Sequence, residues 1–354
     1  MDAGLSGRDA GLGLVFFLAA AACTWLVTRW VIAYLKRRQM LDIPNARSSH
    51  TAPTPRGGGL GLLGIAVPLL AAVTWLHTPQ APVPWAVLAA ALGLAALSWA
   101  DDLKEIHSGL RLIAHVAAAA LVLAILPAKL TLFQGLVPLA ADRLVTAIAW
   151  VWFINLFNFM DGIDGMAGVE TVAIGAGLAV LMVLVGRPGG GAALAAGLWG
   201  WTLAACAAGF LLHNWHPARV FMGDVGSIPL GFLFGWLLLQ LAFWGYWVAA
   251  VILPAYYLTD ATLTVVIRLA RGENIWQAHK QHFYQRAAAR GWSHARIARF
   301  AAGGNAMLVA LAALSTQVVT PAGDALCLAG AAAIVAVMLA WMARAVPPGG
   351  ALLR

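Results

Sequence analysis

The chain has 354 residues, of which 62% are hydrophobic and only 10% charged, with a formal net charge of +8. Soluble domains carry about 25% charged and about 45–50% apolar residues, so a water-soluble globular protein is excluded. Nor does the positive charge argue for nucleic acid: in so apolar a chain, basic residues set membrane topology and meet phosphates. Cys23, Cys206 and Cys327 lie in apolar runs without CxxC spacing, which supports neither a disulfide framework nor a zinc site.

A membrane-spanning helix needs about 17 to 25 predominantly apolar residues. Runs bounded by charges, Pro or Gly predict eleven such helices, at 11–35, 57–76, 84–100, 110–127, 142–159, 166–186, 190–212, 226–243, 245–267, 298–317 and 323–343. Merging the pair around GRPGGG (186–191) or the pair around Gly245 gives ten. The first run is too long for a signal-peptide core and lacks a basic leading region, so it reads as an uncleaved span. The expected fold is an all-α polytopic membrane protein with ten or eleven transmembrane helices. It forms a single domain over 1–354, with an interfacial or cytoplasmic loop at about 268–297.

Loops after odd-numbered spans, with the C-terminal tail, hold seventeen Lys and Arg; the opposite side holds four, Arg8, Lys129, Arg143 and Arg187. By the positive-inside rule the odd loops are cytoplasmic and the N-terminus external. Asp42, Asp101, Asp102, Glu105, Asp161, Asp164, Asp224 and Glu273 fall in the same odd loops. Polar clusters recurring at one membrane face are what a single site assembled from several loops produces.

Five stretches carry the chemistry. NARSSHTAPTPRGGGLG (45–61) precedes span two; its His50, Arg56 and triple glycine suit closure over an anion, or simply form a turn-rich loop. SWADDLKEIHSGLR (98–111) ends span three on Asp101 and Asp102, whose mutual repulsion calls for Mg2+ or a cation. The plainer alternative is a solvated helix end with Lys104 as partner. In NLFNFMDGIDGMAG (155–168), Asn155, Asn158 and Asp161 recur every three residues and DGxDG then presents Asp164 beside glycines. These hard oxygens suit Mg2+ or hydrogen bonds to a base or sugar, or else an Asx-rich helix end satisfied by its own backbone. HNWHPARVFMGDVGS (213–227) offers the aromatic face of Phe221 and the carboxylate of Asp224. In the longest odd loop, His279, His282 and Arg286 are spaced i, i+3 and i+7, as if on one helical face, among Trp276, Phe283, Tyr284 and Trp292. That pattern fits ligand contact or a basic amphipathic anchor.

In this order and on alternate loops, PTPRGGG, DDxxK, NxxNxxDGxDGxAG, NxxPAxVFMGDxGS and HKQHFYQR closely resemble the polyprenyl-phosphate N-acetylhexosamine-1-phosphate transferase superfamily, WecA-like and MraY-like enzymes included. The resemblance covers nearly the whole chain. It implies transfer of an N-acetylhexosamine-1-phosphate from a UDP-sugar to undecaprenyl phosphate, with release of UMP, at the cytoplasmic face of a bacterial inner membrane. Carried over by motif, Asn158 and Asp224 are Mg2+ ligands, with Mn2+ as an alternative ion. Asp101 and Asp102 face the polyprenyl phosphate, as contacts or as proton acceptor. Asp164, Asn214 and Phe221 bind uridine, Phe221 by stacking. Asn155 and Asp161 support the site, and Arg56, His279, His282 and Arg286 meet sugar and phosphates. Implied partners are the two substrates and the lipid bilayer, without nucleic acid; a homodimer is compatible. Where the family has a further histidine in its HxHHxxxR loop, this chain has Gln281, a departure similar to the WbpL-type O-antigen initiators that take 6-deoxy sugars such as N-acetylfucosamine or N-acetylquinovosamine; N-acetylglucosamine is the other candidate.

Two rival classes remain. An ion-coupled transporter predicts charges near helix centres and an internal hydropathy repeat; no repeat is visible. Another Mg2+-dependent membrane phosphotransferase, such as a CDP-alcohol transferase, needs a DGxxAR signature that DGIDGMAG lacks.

Overall fold

The structure, a computed structural model, describes residues 7–44, 52–104, 106–185, 190–277 and 279–344. Of the residues singled out above, His50, Glu105 and Arg187 lie outside the described residues, as do the side chains of residues 7–10. Among the described residues thirteen helices follow in order: α1 Gly7–Arg37, α2 Gly59–His77, α3 Pro82–Leu103, α4 Ser108–Ile125, α5 Leu139–Phe159, α6 Met166–Val185, α7 Gly191–Asn214, α8 Asp224–Phe243, α9 Trp247–Ile252, α10 Ala255–Ala270, α11 Phe283–Ala289, α12 His294–Ser315 and α13 Pro321–Ala343. Between α1 and α2 a two-residue strand β1 (Leu41–Asp42) pairs antiparallel with β2 (Thr54–Pro55), in register Leu41 to Pro55. The protein is an all-α polytopic membrane protein, and among the described residues ten helices are long and apolar enough to cross a bilayer.

The predicted span at 245–267 is where reading and structure differ. It is two pieces, α9 and the 16-residue α10, interrupted at Leu253 and Pro254. Proline lacks the amide hydrogen a continuous helix needs and its ring crowds the preceding turn, so the apolar run continues while the helix does not.

Helix α8 is the hub. It is apolar all round, as a fully enclosed helix must be, and 94% of its spanning window is buried, against 17% for α1. It packs on α3 and α5, where Trp150 stacks on Phe232 at 4.6 Å and donates its indole N–H to the Phe232 carbonyl at 2.9 Å. Interhelical hydrogen bonds of this kind contribute about 0.6 to 2 kcal/mol in a membrane. Close approach of α2 to α8 rests on Gly59 and Gly226, whose α-carbons leave no room for a methyl group between them. That contact brings the start of α2 to the start of α8.

Not every carboxylate gathers at one end of the bundle. Asp142 lies in the first turn of α5, at the opposite end of that helix from Asn155 and Asn158, and accepts the Leu132 and Phe133 amides at 3.1 and 2.9 Å. Glu170, within α6, accepts from Asn305 of α12 at 2.6 Å. These acids satisfy neighbouring polar groups, whereas Asp101, Asp102 and Asp224 gather around two arginines.

Candidate active site

The α1–α2 connection runs alongside the loop before α8. Phe221 donates its amide to the Pro55 carbonyl at 2.8 Å, while Gly57 and Gly58 donate to the Phe221 carbonyl at 3.3 and 2.8 Å. Gly57 holds φ at +109°, a conformation that side-chain-bearing residues avoid. PTPRGGG therefore lies as a ribbon along VFMGD, and Arg56 is delivered to the N-terminus of α8.

There a charged lattice forms. Arg56 Nε lies 2.9 Å from Asp102 Oδ1, and its Nη2 lies 3.0 Å from Asp224 Oδ1. Arg111 Nη1, at the start of α4, bridges Asp101 Oδ2 at 2.6 Å and Asp224 Oδ2 at 2.7 Å. Asp101 also accepts the Ile106 amide at 2.7 Å, and Asp102 the Val225 amide at 3.3 Å. The paired aspartates are thus compensated by Arg56 and Arg111 rather than by Lys104. Two guanidinium groups facing three carboxylates leave negative charge in excess.

Asn158 accepts a 2.6 Å hydrogen bond from Ser227, one turn into α8 from Asp224, so the end of α5 faces the first turn of α8. Asp161 follows in the α5–α6 loop; burial, then the neighbouring charge of Asp224, pushes its carboxyl well above the ordinary range. Asn155 points back along α5, donating to the Val151 carbonyl at 2.7 Å. Asn158, Asp161 and Asp224 offer only oxygen donors, and Asp102 Oδ1 is buried without a well-formed hydrogen bond despite its nearness to Arg56. An all-oxygen donor set with surplus negative charge fits a hard divalent cation such as Mg2+.

The second half of the DGxDG loop is built differently. Asp164 Oδ2 meets His216 Nδ1 at 2.6 Å and His294 Nδ1 at 3.3 Å, and accepts the Ala218 amide at 3.2 Å. Burial pushes this carboxyl up, but its contacts with His294 and His216 outweigh it and hold it below the ordinary range. Asn214, 2% exposed, accepts from the Gly165 amide and donates to the Val220 carbonyl, both at 3.0 Å. It clasps the DGxDG loop to the segment that presents Phe221, which is itself partly buried. Gly162 is required because a Cβ there would strike the Tyr284 hydroxyl, which donates to the Phe159 carbonyl at 2.9 Å.

The histidine loop departs from the expectation of one helical face. Only residues from Phe283 onward are helical; His282 is the N-cap of α11 and His279 precedes it in a turn. The reason is Asp260 of α10, which accepts the Phe283 and Tyr284 amides at 2.9 and 3.3 Å and so fixes where α11 begins. His279 and His282 still come together, ring centres 4.8 Å apart, and Arg286 lies over the Phe283 ring at 5.2 Å. Gln281 donates to Glu273 at 2.7 Å, and Glu273 is gripped by Arg268 at 2.9 Å.

Sequence reasoning treated Arg111 only as a topology charge and passed over His216, His294, Asp260 and Ser227 as site residues. Arg111 had a signal, standing ten residues after Asp101 at the head of the next span. The other four had none, because each acts through a partner distant in the chain.

The profile of glycosyl transferase family 4 matches residues 84–242. The decaprenyl-phosphate N-acetylglucosaminephosphotransferase of Mycobacterium tuberculosis (strain ATCC 25618 / H37Rv) is 30% identical over 330 residues, covering 83% of this chain and 81% of the relative. The chain belongs to the polyprenyl-phosphate N-acetylhexosamine-1-phosphate transferase superfamily. Other relatives in this superfamily are a probable undecaprenyl-phosphate N-acetylglucosaminyl 1-phosphate transferase of Bacillus subtilis (strain 168), 26% identical over 294 residues (79% and 78% coverage), and a phospho-N-acetylmuramoyl-pentapeptide-transferase of Synechococcus elongatus, 31% identical over 255 residues (65% and 66%). The superfamily profile spans α3 to α8 and so includes the aspartates, the DGxDG loop and Asp224, while Arg56 and the histidine loop lie outside it.

Proposed function

We propose that this protein transfers an N-acetylhexosamine-1-phosphate from a UDP-sugar to undecaprenyl phosphate, releasing UMP and initiating lipid-linked glycan synthesis of the O-antigen type. The observation that carries the reading is the lattice of Arg56, Asp101, Asp102, Arg111 and Asp224, drawn from four chain segments to one end of the bundle. An anionic lipid phosphate must approach an anionic diphosphate, so charge neutralisation is the main demand on the site. Arg56 and Arg111 supply it on the protein side. Asn158 and Asp224, with Asp161 beside them, would hold Mg2+, which when bound would supply Lewis-acid neutralisation of the diphosphate.

A lipid phosphate oxygen forms a new bond to the sugar-linked phosphorus, and the bond from that phosphorus to the UMP oxygen breaks. A phosphate monoester with a second pKa of about 6 is already mostly dianionic at neutral pH, so Asp101 and Asp102 orient the lipid headgroup through the arginines rather than needing to remove a proton. Asp164 and Phe221 receive the uridine and Asn214 holds their loops in place; His279, His282 and Arg286 meet sugar and phosphates. Arg286 carries no carboxylate partner among the described residues and is available to an anion. The positive-inside count supports a cytoplasmic site and an external N-terminus, and the bacterial relatives support an inner membrane. Gln281, tied to Glu273, stands where the family has a histidine and supports a 6-deoxy sugar such as N-acetylfucosamine or N-acetylquinovosamine over N-acetylglucosamine.

The test is incubation of the purified protein with undecaprenyl phosphate, Mg2+ and a panel of UDP-N-acetylhexosamines, reading UMP release. Release from at least one donor, dependent on both lipid and metal, is expected; none from any donor overturns the reading.

A further inference from the structure

Three loops far apart in the chain meet at one carboxylate oxygen. His216 comes from the loop after α7, His294 from the first turn of α12, and Asp164 from the loop after α5. His216 Nδ1 lies 2.6 Å from Asp164 Oδ2, and the two imidazole rings are 5.1 Å apart. His294 Nδ1 accepts the Asp164 backbone N–H at 3.3 Å and lies 3.3 Å from Oδ2, so this ring braces the main chain of the aspartate beside its carboxylate. With the Ala218 amide, three contacts converge on Oδ2.

We propose that His216 and His294 are positioning residues that hold Asp164 as a fixed, ionised hydrogen-bond acceptor and so give the nucleotide site its preference for uracil over cytosine; this rests on the function proposed above. The chemistry follows from the edges of the two bases. Uracil carries an N–H at N3 and donates it to a carboxylate, whereas cytosine presents a lone pair at N3, which a carboxylate repels. The preference is strong only if the acceptor neither rotates nor protonates, because a freely rotating carboxylate can accept from the cytosine amino group and a neutral carboxyl can donate to its N3. Hydrogen bonds from His216 and the Ala218 amide to one oxygen, with His294 holding the backbone behind it, restrain rotation and favour the charged form. Asn214 ties the same loop to the Phe221 segment, so an error in Asp164 is felt where the base stacks.

The experiment uses the full chain in detergent or nanodiscs and measures binding of UMP and CMP by calorimetry, for the wild type, His216→Ala, His216→Asn and His294→Ala. The expected result is a loss of about tenfold in UMP affinity for each alanine variant, with a fall of similar size in the ratio of CMP to UMP dissociation constants. His216→Asn, which keeps a donor near the Nδ1 position, recovers part of both. The KM for undecaprenyl phosphate stays within twofold of the wild type. A merely structural role lowers affinity for both nucleotides alike, so an unchanged ratio in both alanine variants overturns the inference while leaving the transferase reading intact. Failure of the wild type to bind UMP at all sinks the transferase reading itself. The three ligand atoms lie within 4.8 Å of one another, so zinc found in the purified wild type and lost from His216→Ala also overturns the positioning role, in favour of a metal site.

Discussion

Arg111 offers the sharpest test of the charged lattice. Its single nitrogen Nη1 contacts Asp101 and Asp224 at 2.6 and 2.7 Å, and the two carboxylate side chains are 8% and 12% exposed. A unit charge pair at 4 Å is worth about 4 kcal/mol at an effective dielectric of about 20. Arg111 is itself 31% exposed and Arg56 still compensates Asp224, so solvent and the second arginine reduce the loss. Removing one partner of a partly buried pair then costs about 2 to 3 kcal/mol, which is about 30- to 150-fold in kcat/KM if the lattice is formed at the transition state. Arg111→Ala should show that loss in UMP release at saturating Mg2+, with the protein still monodisperse. Because one nitrogen makes both contacts, Arg111→Lys should recover a substantial part of it. An alanine variant within threefold of the wild type would refute the idea that the lattice governs catalysis.

The remaining expectations are briefer. Asp224→Asn should abolish turnover while the protein stays folded, since the amide cannot neutralise both arginines and a metal; Mg2+-dependent activity above a tenth of wild type contradicts that role. Gln281→His removes the contact to Glu273 and should shift relative turnover across the UDP-sugar panel; an unaltered ranking removes the link between this residue and the sugar. Gly162→Ala pushes into the Tyr284 hydroxyl and should cost about 1–3 kcal/mol, read as a lowered Tm and reduced activity; a Tm equal to wild type contradicts the packing. Burial, and then the like charges of His282 and Arg268, lower the His279 pKa from 6.5 to about 4. The unfolded chain therefore takes up a proton there before the folded protein does, so stability is lost on acidification from about pH 6.5 toward pH 4. His279→Gln should flatten that slope in thermal unfolding at pH 7 against pH 5, and an identical slope counts against the assignment.

Much of the architecture was legible from composition because lipid imposes a severe rule: backbone polar groups must be satisfied within each span. Helices α2 to α8 fall within a few residues of the predicted runs. The miss at 245–267 has the same origin, since hydropathy reports where apolar residues lie and not whether their backbone is continuous. Asp101, Asp102, Asn158, Asp161 and Asp224 were visible because polar side chains at the ends of apolar runs have no structural excuse in number. The histidine loop misled because i, i+3, i+7 spacing describes a helix only if one exists, and Asp260 starts α11 at Phe283, after His279 has already turned away.

Membership of the membrane class, the approximate count of spans and the set of charged loops follow from the order of residues alone, because each is a local property of a short window. The pairing of charges does not. Arg56 and Asp224 are 168 residues apart, Arg111 and Asp224 are 113 apart, and Asp164 and His294 are 130 apart. No periodicity spans such distances, and with several arginines and aspartates on one face of the membrane many pairings satisfy the same sequence. The close passage of α2 over α8 at two glycines, and the clasp of Asn214, select one pairing among them, because only packed helices hold those atoms within hydrogen-bond reach.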